Sequence, residues 1–171
     1  MAYCLVVKKI YYEIDVFNDL RSFLSNTQLE VLQLVPPGGQ APLSLTFTPN
    51  GAERPKTVYP DLIAFDSTSI YLGELKPRFS KADVEKLMSI KSSKDAFKKI
   101  CQTLQNKGDS PFPDKPKLVF LLVHTQENAP QVEGIFQLVF QVNNNIIISG
   151  TKKASFLKTS NSLNNVIQIV S

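Results

Sequence analysis

The chain has 171 residues, 43% hydrophobic and 20% charged, enough to bury a core as one domain without staples. No apolar run approaches the roughly 20 residues of a membrane helix, and the N-terminal apolar stretch has its lysines, Lys8 and Lys9, after it rather than before it, the reverse of a signal peptide; an intracellular, cytoplasmic protein without a membrane partner is expected. Two distant cysteines, Cys4 and Cys101, and a single histidine argue against structural zinc, and 19 Lys and Arg against 15 Asp and Glu suit a polyanionic partner without requiring one.

In chain order, Ile10, Ile14, Phe17, Leu20 and Leu24 recur at helical spacing over residues 10–25, with Glu13, Asp19 and Arg21 off the stripe. Residues 29–35 read as a strand, 36–39 (Pro-Pro-Gly-Gly) as a turn, and 42–48 alternate with period two as a second strand. After a loop at 50–55 come strands at 61–66 and 69–76, with only Ser67 and Thr68 between them. Pro77, which has no amide hydrogen, ends the second. Ser80 is a good N-cap with Asp83 three residues on. It opens a helix to about Leu104 whose apolar face is Val84, Leu87, Met88, Phe97, Ile100, Cys101 and Leu104. Lys86, Lys91, Lys94 and Lys98 lie largely off that face, and Ser92-Ser93 is a place for a break.

A loop at 108–116 leads to residues 117–123, a continuous apolar run of the kind a buried strand shows. Beyond it the pattern allows a hairpin of 135–142 and 146–149 turning at 143–145, or a helix over 133–142. Residues 150–171 are compatible with an added edge strand. Helix, three or four antiparallel strands, helix and buried strand together predict an α/β (α+β) fold, a mixed sheet flanked by helices. With no internal repeat and no clear boundary, residues 1–171 are expected to form one domain.

The two strands around Ser67-Thr68 carry the chemistry. A two-residue turn there pairs Phe65 with Ile70, Ile63 with Leu72 and Asp61 with Glu74, and opposite side chains share a face. Lys76, two residues beyond Glu74, falls on that face too. Ser-Thr is not a favoured type I′ pair, so the register depends on loop length: a four-residue loop keeps this pairing and a three- or five-residue loop shifts it by one. Two carboxylates with Cβ atoms about 5 Å apart repel unless a positive group lies between them. A divalent cation answers, and an oxygen-rich site with few protein ligands suits magnesium, which retains waters and takes phosphate oxygens. Lys76 would then stabilise hydroxide or the charge building on a phosphate, and Gly73 would let a backbone or ligand approach closely. The plain alternative is a hairpin with a surface salt bridge from Glu74 to Lys76.

Tyr59-Pro60-Asp61, twelve residues, then Glu74-Leu75-Lys76 resembles the signature of the PD-(D/E)XK nuclease superfamily, whose members include restriction endonucleases, Holliday-junction resolvases and exonucleases. The resemblance spans about residues 10–123, leaving 124–171 as a C-terminal extension. It implies a restriction-endonuclease-like core: a helix before a three-stranded meander, then a helix and another strand. It implies magnesium, with manganese as substitute, bound by the carboxylates of Asp61 and Glu74 and the backbone carbonyl of Leu75, with Lys76 helping to activate water. Many members add an acidic residue from the first helix, for which Glu13 is the candidate ahead of Asp15 and Asp19. The glutamine-tyrosine motif of the exonuclease branch has no clear match, although Gln102 and Gln105 lie in the right kind of helix. The expected function is therefore a metal-dependent endonuclease hydrolysing phosphodiester bonds in DNA, with RNA an open alternative, and a homodimer would let so small a chain cut two strands. The competing expectation is a catalytically silent nucleic-acid-binding or assembly subunit of a recombination or defence complex.

Arg78 and Lys81 follow the motif directly and are candidates for binding a neighbouring phosphate, against a solvated helix start. For Arg54 and Lys56, and for Lys152, Lys153 and Lys158, solvation is the better expectation. His124 is expected to be structural, and Tyr11, Tyr12 and Tyr59 to pack.

Overall fold

The structure, a computed structural model, describes residues 10–141, 146–150 and 167–170. Among these described residues three helices, α1 (Glu13–Ser25), α2 (Lys81–Lys91) and α3 (Lys94–Leu104), accompany nine strands. The strands are β1 (Glu30–Leu34), β2 (Leu45–Phe47), β3 (Lys56–Val58), β4 (Leu62–Phe65), β5 (Ser69–Leu75), β6 (Lys117–His124), β7 (Phe136–Phe140), β8 (Ile146–Ser149) and β9 (Ile167–Val170). Seven of them form one mixed sheet in the order β1-β4-β5-β6-β7-β8-β9, and β2 and β3 pair only with each other. β1, β4 and β5 make an antiparallel meander, β6 adds parallel to β5, and β7 adds parallel to β6. β8 turns back antiparallel on β7, with β9 parallel beside it. This is the α+β arrangement expected.

β4 and β5 are buried along their whole lengths, because both faces of the sheet are covered and alternate side chains enter different cores. On one face Val16, Leu20, Phe23 and Leu24 of α1 pack over Leu62, Ala64, Tyr71, Leu75, Leu121 and Val123. On the other, Leu87, Ile90, Ala96, Ile100 and Leu104 of α2 and α3, with Leu45, Phe47 and Val58 of the β2–β3 ribbon, surround Ile63, Phe65, Ile70, Leu72 and Leu122.

Several expectations are corrected. Helix α1 starts at Glu13 rather than at residue 10, where the Tyr12 amide donates to Asp15 Oδ2 at 2.8 Å. The buried stripe is accordingly Val16, Leu20, Phe23 and Leu24, and Ile10 and Ile14 are 70% and 46% exposed. Residues 42–48 yield only the three residues of β2, which leave the main sheet, so β1 lies directly beside β4. The helix after Ser80 is two helices, divided at the Ser92-Ser93 break that the sequence allowed. Ser93 breaks it by accepting the Ala96 amide at 3.2 Å and donating to the Thr48 carbonyl at 2.9 Å, which docks the break onto the end of β2. Phe97, expected in the core, is exposed. Of the two alternatives beyond β6 the hairpin holds: residues 136–140 are a strand paired with 146–149, not a helix. The expected turn at 143–145 and the basic residues Lys152, Lys153 and Lys158 lie outside the described residues.

Candidate metal centre

The β4–β5 hairpin has the expected register, with Phe65 opposite Ile70 and Ile63 opposite Leu72. A side chain holds the turn. Asp66 Oδ1 accepts from the amides of Thr68 at 2.7 Å and Ser69 at 2.8 Å and from the Thr68 hydroxyl at 2.9 Å. Its Oδ2 accepts from the Tyr71 hydroxyl at 2.6 Å. Burial raises the Asp66 pKa, but these donors outweigh it and hold the carboxyl below its ordinary value. An aspartate that bonds the amides two and three residues on makes an Asx-type turn, and so the Ser-Thr pair needs no turn preference of its own.

At the other end of the hairpin the ladder stops at Leu62. Asp61 turns its Oδ2 onto the Leu75 amide, 3.0 Å away. Buried Gln33 fixes the approach: its Nε2 donates to the carbonyls of Pro60 at 2.6 Å and Leu43 at 3.3 Å, and its Oε1 accepts the Leu43 amide at 2.7 Å. Glu74 is 1% exposed, and its Oε2 accepts from Lys86 Nζ of α2 at 2.5 Å. The same ammonium donates to the Tyr59 carbonyl at 3.1 Å. Glu74 Oε1 is buried with no hydrogen-bond partner, and so is Asp83 Oδ2. Lys76, just past the end of β5, sends its Nζ to Glu13 Oε1 at 2.9 Å.

The fold thus gathers Asp61, Glu74, Leu75, Lys76 and Glu13 at the carboxyl end of β5, beside the parallel strand β6. Ligands favour such an end in open α/β sheets. Two details differ from expectation. Lys76 reaches Glu13 in the α1 layer instead of lying along Glu74, because the regular strand ends at Leu75. The partner of Glu74 is Lys86, and the carboxylate is buried rather than at the surface. The sequence reading met Asp83 only as a helix-start residue and Lys86 only as a lysine off the apolar face, and missed both at the site. The available signal was their spacing of three on the helix that leaves β5, which puts both on one face.

Burial, with the nearby charges of Asp61 and Asp83, pushes the Glu74 carboxyl up to about 8 against the pull of Lys86. Burial likewise raises Asp61, opposed by the Leu75 amide, Lys86 and Lys76. Burial alone would lower Lys76, but Glu13, Asp61 and Asp83 overcome it and raise its pKa. Lys76 is therefore a standing cation, suited to donating to an anion rather than to taking a proton.

These residues fit a divalent cation. A buried carboxylate oxygen without a donor is costly, and Glu74 Oε1 is such an atom beside a second carboxylate. Among the described residues no three His, Cys, Asp or Glu side chains converge closely enough to enclose an ion unaided.

The remaining candidates are distributed around the site. Arg78 and Lys81 are exposed, and Arg78 lines a groove with Ile10, Tyr11, Thr125 and Gln126. Lys56 donates to Ser89 Oγ at 3.3 Å. His124 is fully buried, its Nε2 2.8 Å from Gln137 Oε1, and burial lowers its pKa despite that bond. It is a structural histidine, as expected. Gly73 faces Leu62 and Leu121, whose Cβ atoms would stand 3.2 and 3.4 Å from an added methyl. The close approach there is by neighbouring strands, not by a ligand.

No protein-family model, curated protein or solved structure matches this chain. Among the described residues no helix is long and apolar enough to cross a membrane.

Proposed function

We propose that the chain is a magnesium-dependent nuclease that hydrolyses phosphodiester bonds in DNA, on a restriction-endonuclease-like core. The observation that carries this reading is the buried carboxylate of Glu74, one oxygen tied to Lys86 and the other unpartnered, set beside Asp61 and Lys76 at the carboxyl end of a parallel strand. Asp61 and Glu74 would hold the cation, with the Leu75 carbonyl as the backbone member of the set. When bound, the cation supplies Lewis acidity toward a phosphoryl oxygen and lowers the pKa of water. Lys76, kept cationic and oriented by Glu13, donates to the negative charge that grows on the phosphate. Arg78 and Lys81, both exposed, would bind a neighbouring phosphate.

A second reading, a catalytically silent nucleic-acid-binding or assembly subunit, draws support from the internal pairing of Glu74 with Lys86 and of Lys76 with Glu13. One experiment separates the two. Supercoiled plasmid, branched DNA, single-stranded DNA and RNA are incubated with the protein in magnesium, manganese or chelator, beside Asp61→Ala and Lys76→Ala. Metal-dependent cleavage lost in both variants supports the nuclease and names its substrate. Binding without cleavage of any substrate favours the silent subunit.

A further inference from the structure

Helix α2 turns one face toward the buried end of β5. Lys86 on that face reaches Glu74 Oε2, and Asp83, one turn earlier, shares it. Asp83 opens the helix as its third residue, and its amide donates to Ser80 Oγ at 3.3 Å. A carboxylate in the first turn ordinarily serves the helix dipole from solvent. That role leaves the Asp83 side chain unexplained, because its Oδ2 is buried and takes no hydrogen bond. The second observation is independent and lies on another element: Glu74, 1% exposed, has its own Oε1 buried and equally without a donor. Lys86 is the ammonium that α2 brings to Glu74, and it is committed to Glu74 Oε2 and the Tyr59 carbonyl. Two buried carboxyl oxygens without donors, on facing elements, call for a partner beyond that ammonium.

We infer that Asp83 is a third carboxylate of the metal centre, contributed by the first turn of α2 and acting on the same cation as Glu74 through water. Coordination through water is part of the inference, because among the described residues no three His, Cys, Asp or Glu side chains are grouped to hold an ion directly. Asp83 is then a positioning residue: it adds negative charge to the site and orients the water shell of the ion. The inference rests on the metal-site reading above and extends it to an element outside the Asp61–Lys76 motif.

Calorimetric titration of the whole protein with manganese chloride tests it, using wild type, Asp61→Asn and Asp83→Asn, with thermal melting of each in chelator and in manganese. Loss of groups around a metal's ligands typically weakens binding about 10- to 100-fold, and a fall of at least about tenfold is expected for Asp83→Asn. In chelator this variant should melt at or above wild type, because a buried carboxyl oxygen without a donor has been removed, and its rise in melting temperature with manganese should be smaller. A merely structural Asp83 would give the opposite pattern, a lower melt in chelator and unchanged manganese affinity, and would overturn the inference. If wild type binds, Asp61→Asn does not, and Asp83→Asn binds as wild type, Asp83 is removed from the centre while the centre itself stands. Absence of manganese binding by folded wild type overturns both.

Discussion

The two ends of the β4–β5 hairpin hold aspartate and glutamate in opposite conditions. At the turn, Asp66 accepts four hydrogen bonds and its pKa is lowered. At the open end, Glu74 is more deeply buried, keeps one oxygen without a donor, and is pushed up to about 8. The difference lies in the supply of donors. A carboxylate surrounded by amides and hydroxyls is part of the fold, whereas one buried short of donors is poised for something the chain does not itself provide. The first kind should break stability when removed, and the second should break function.

The largest effect should come from the open end. Asp61→Ala removes both the charge and the acceptor for the Leu75 amide, so Asp61→Asn is the cleaner change: it retains an oxygen for that amide and loses the charge. With loss of the ion, cleavage should fall by about a thousandfold or more, given several kcal/mol of metal assistance, while the chelator melting curve stays near wild type. Full activity in Asp61→Asn would place the chemistry elsewhere.

The turn should respond in the opposite way. Asp66→Ala strips the acceptor from two amides and two hydroxyls, and hydrogen bonds to a charged group contribute about 1.5–3 kcal/mol. Because Asp66 is partly exposed, a loss of about 2 kcal/mol in urea unfolding is expected, with manganese affinity unchanged. The sign with pH is set by the lowered pKa. The stabilisation is fully present above the unfolded carboxyl value near 3.8 and disappears as pH falls through the still lower folded value. The gap between wild type and Asp66→Ala should therefore be constant at neutral pH and close in strong acid.

This contrast also marks what the sequence could tell. The two strands of the hairpin were legible from the alternation of Ile63 with Phe65 and of Ile70 with Leu72, while their pairing stayed tied to loop length, a shift by one residue moving a strand's side chains to the other face. What holds the register was not, since Asp66 reads as an ordinary strand-end residue until its oxygens are seen on Thr68, Ser69 and Tyr71. Asp61, Glu74 and Lys76 were legible from spacing within one hairpin. Lys86 and Asp83 were not, because only the packing of α2 on the sheet sets which of its polar residues turn inward, and Lys86 resembles the other lysines of a solvated row. The ribbon of β2 and β3 shows the same limit: alternation finds a strand but does not name its partner.

Glu74→Gln sharpens the comparison by separating charge from packing. Gln keeps the shape and stays neutral, as Glu74, pushed up to about 8, largely is at neutral pH without a cation, so in chelator the variant should be about as stable as wild type, while manganese binding is lost. The same Asp-to-amide logic at the turn, Asp66→Asn, should destabilise. Destabilisation of about equal size at both positions would erase the distinction between them.

The smallest effect tests whether the open end is sensitive to position as well as to charge. Gly73 is the cross-strand partner of Leu62, the residue after Asp61, and an alanine methyl there would sit 3.2 Å from both Leu62 Cβ and Leu62 Cδ2. That contact is tight enough to move β4 by a few tenths of an ångström, at a cost of about 1 kcal/mol, the low end of overpacking in a filled core. The displacement falls on Asp61, whose oxygen must stay on the Leu75 amide while facing Glu74, and not on the Asp66 clamp at the far end. Gly73→Ala should therefore weaken manganese binding several-fold, out of proportion to its small effect on melting, since metal sites are sensitive to how their ligands are held. If binding and melting fall only in step, the open end is held no more tightly than the rest of the sheet, and the special condition of Glu74 is one of charge alone.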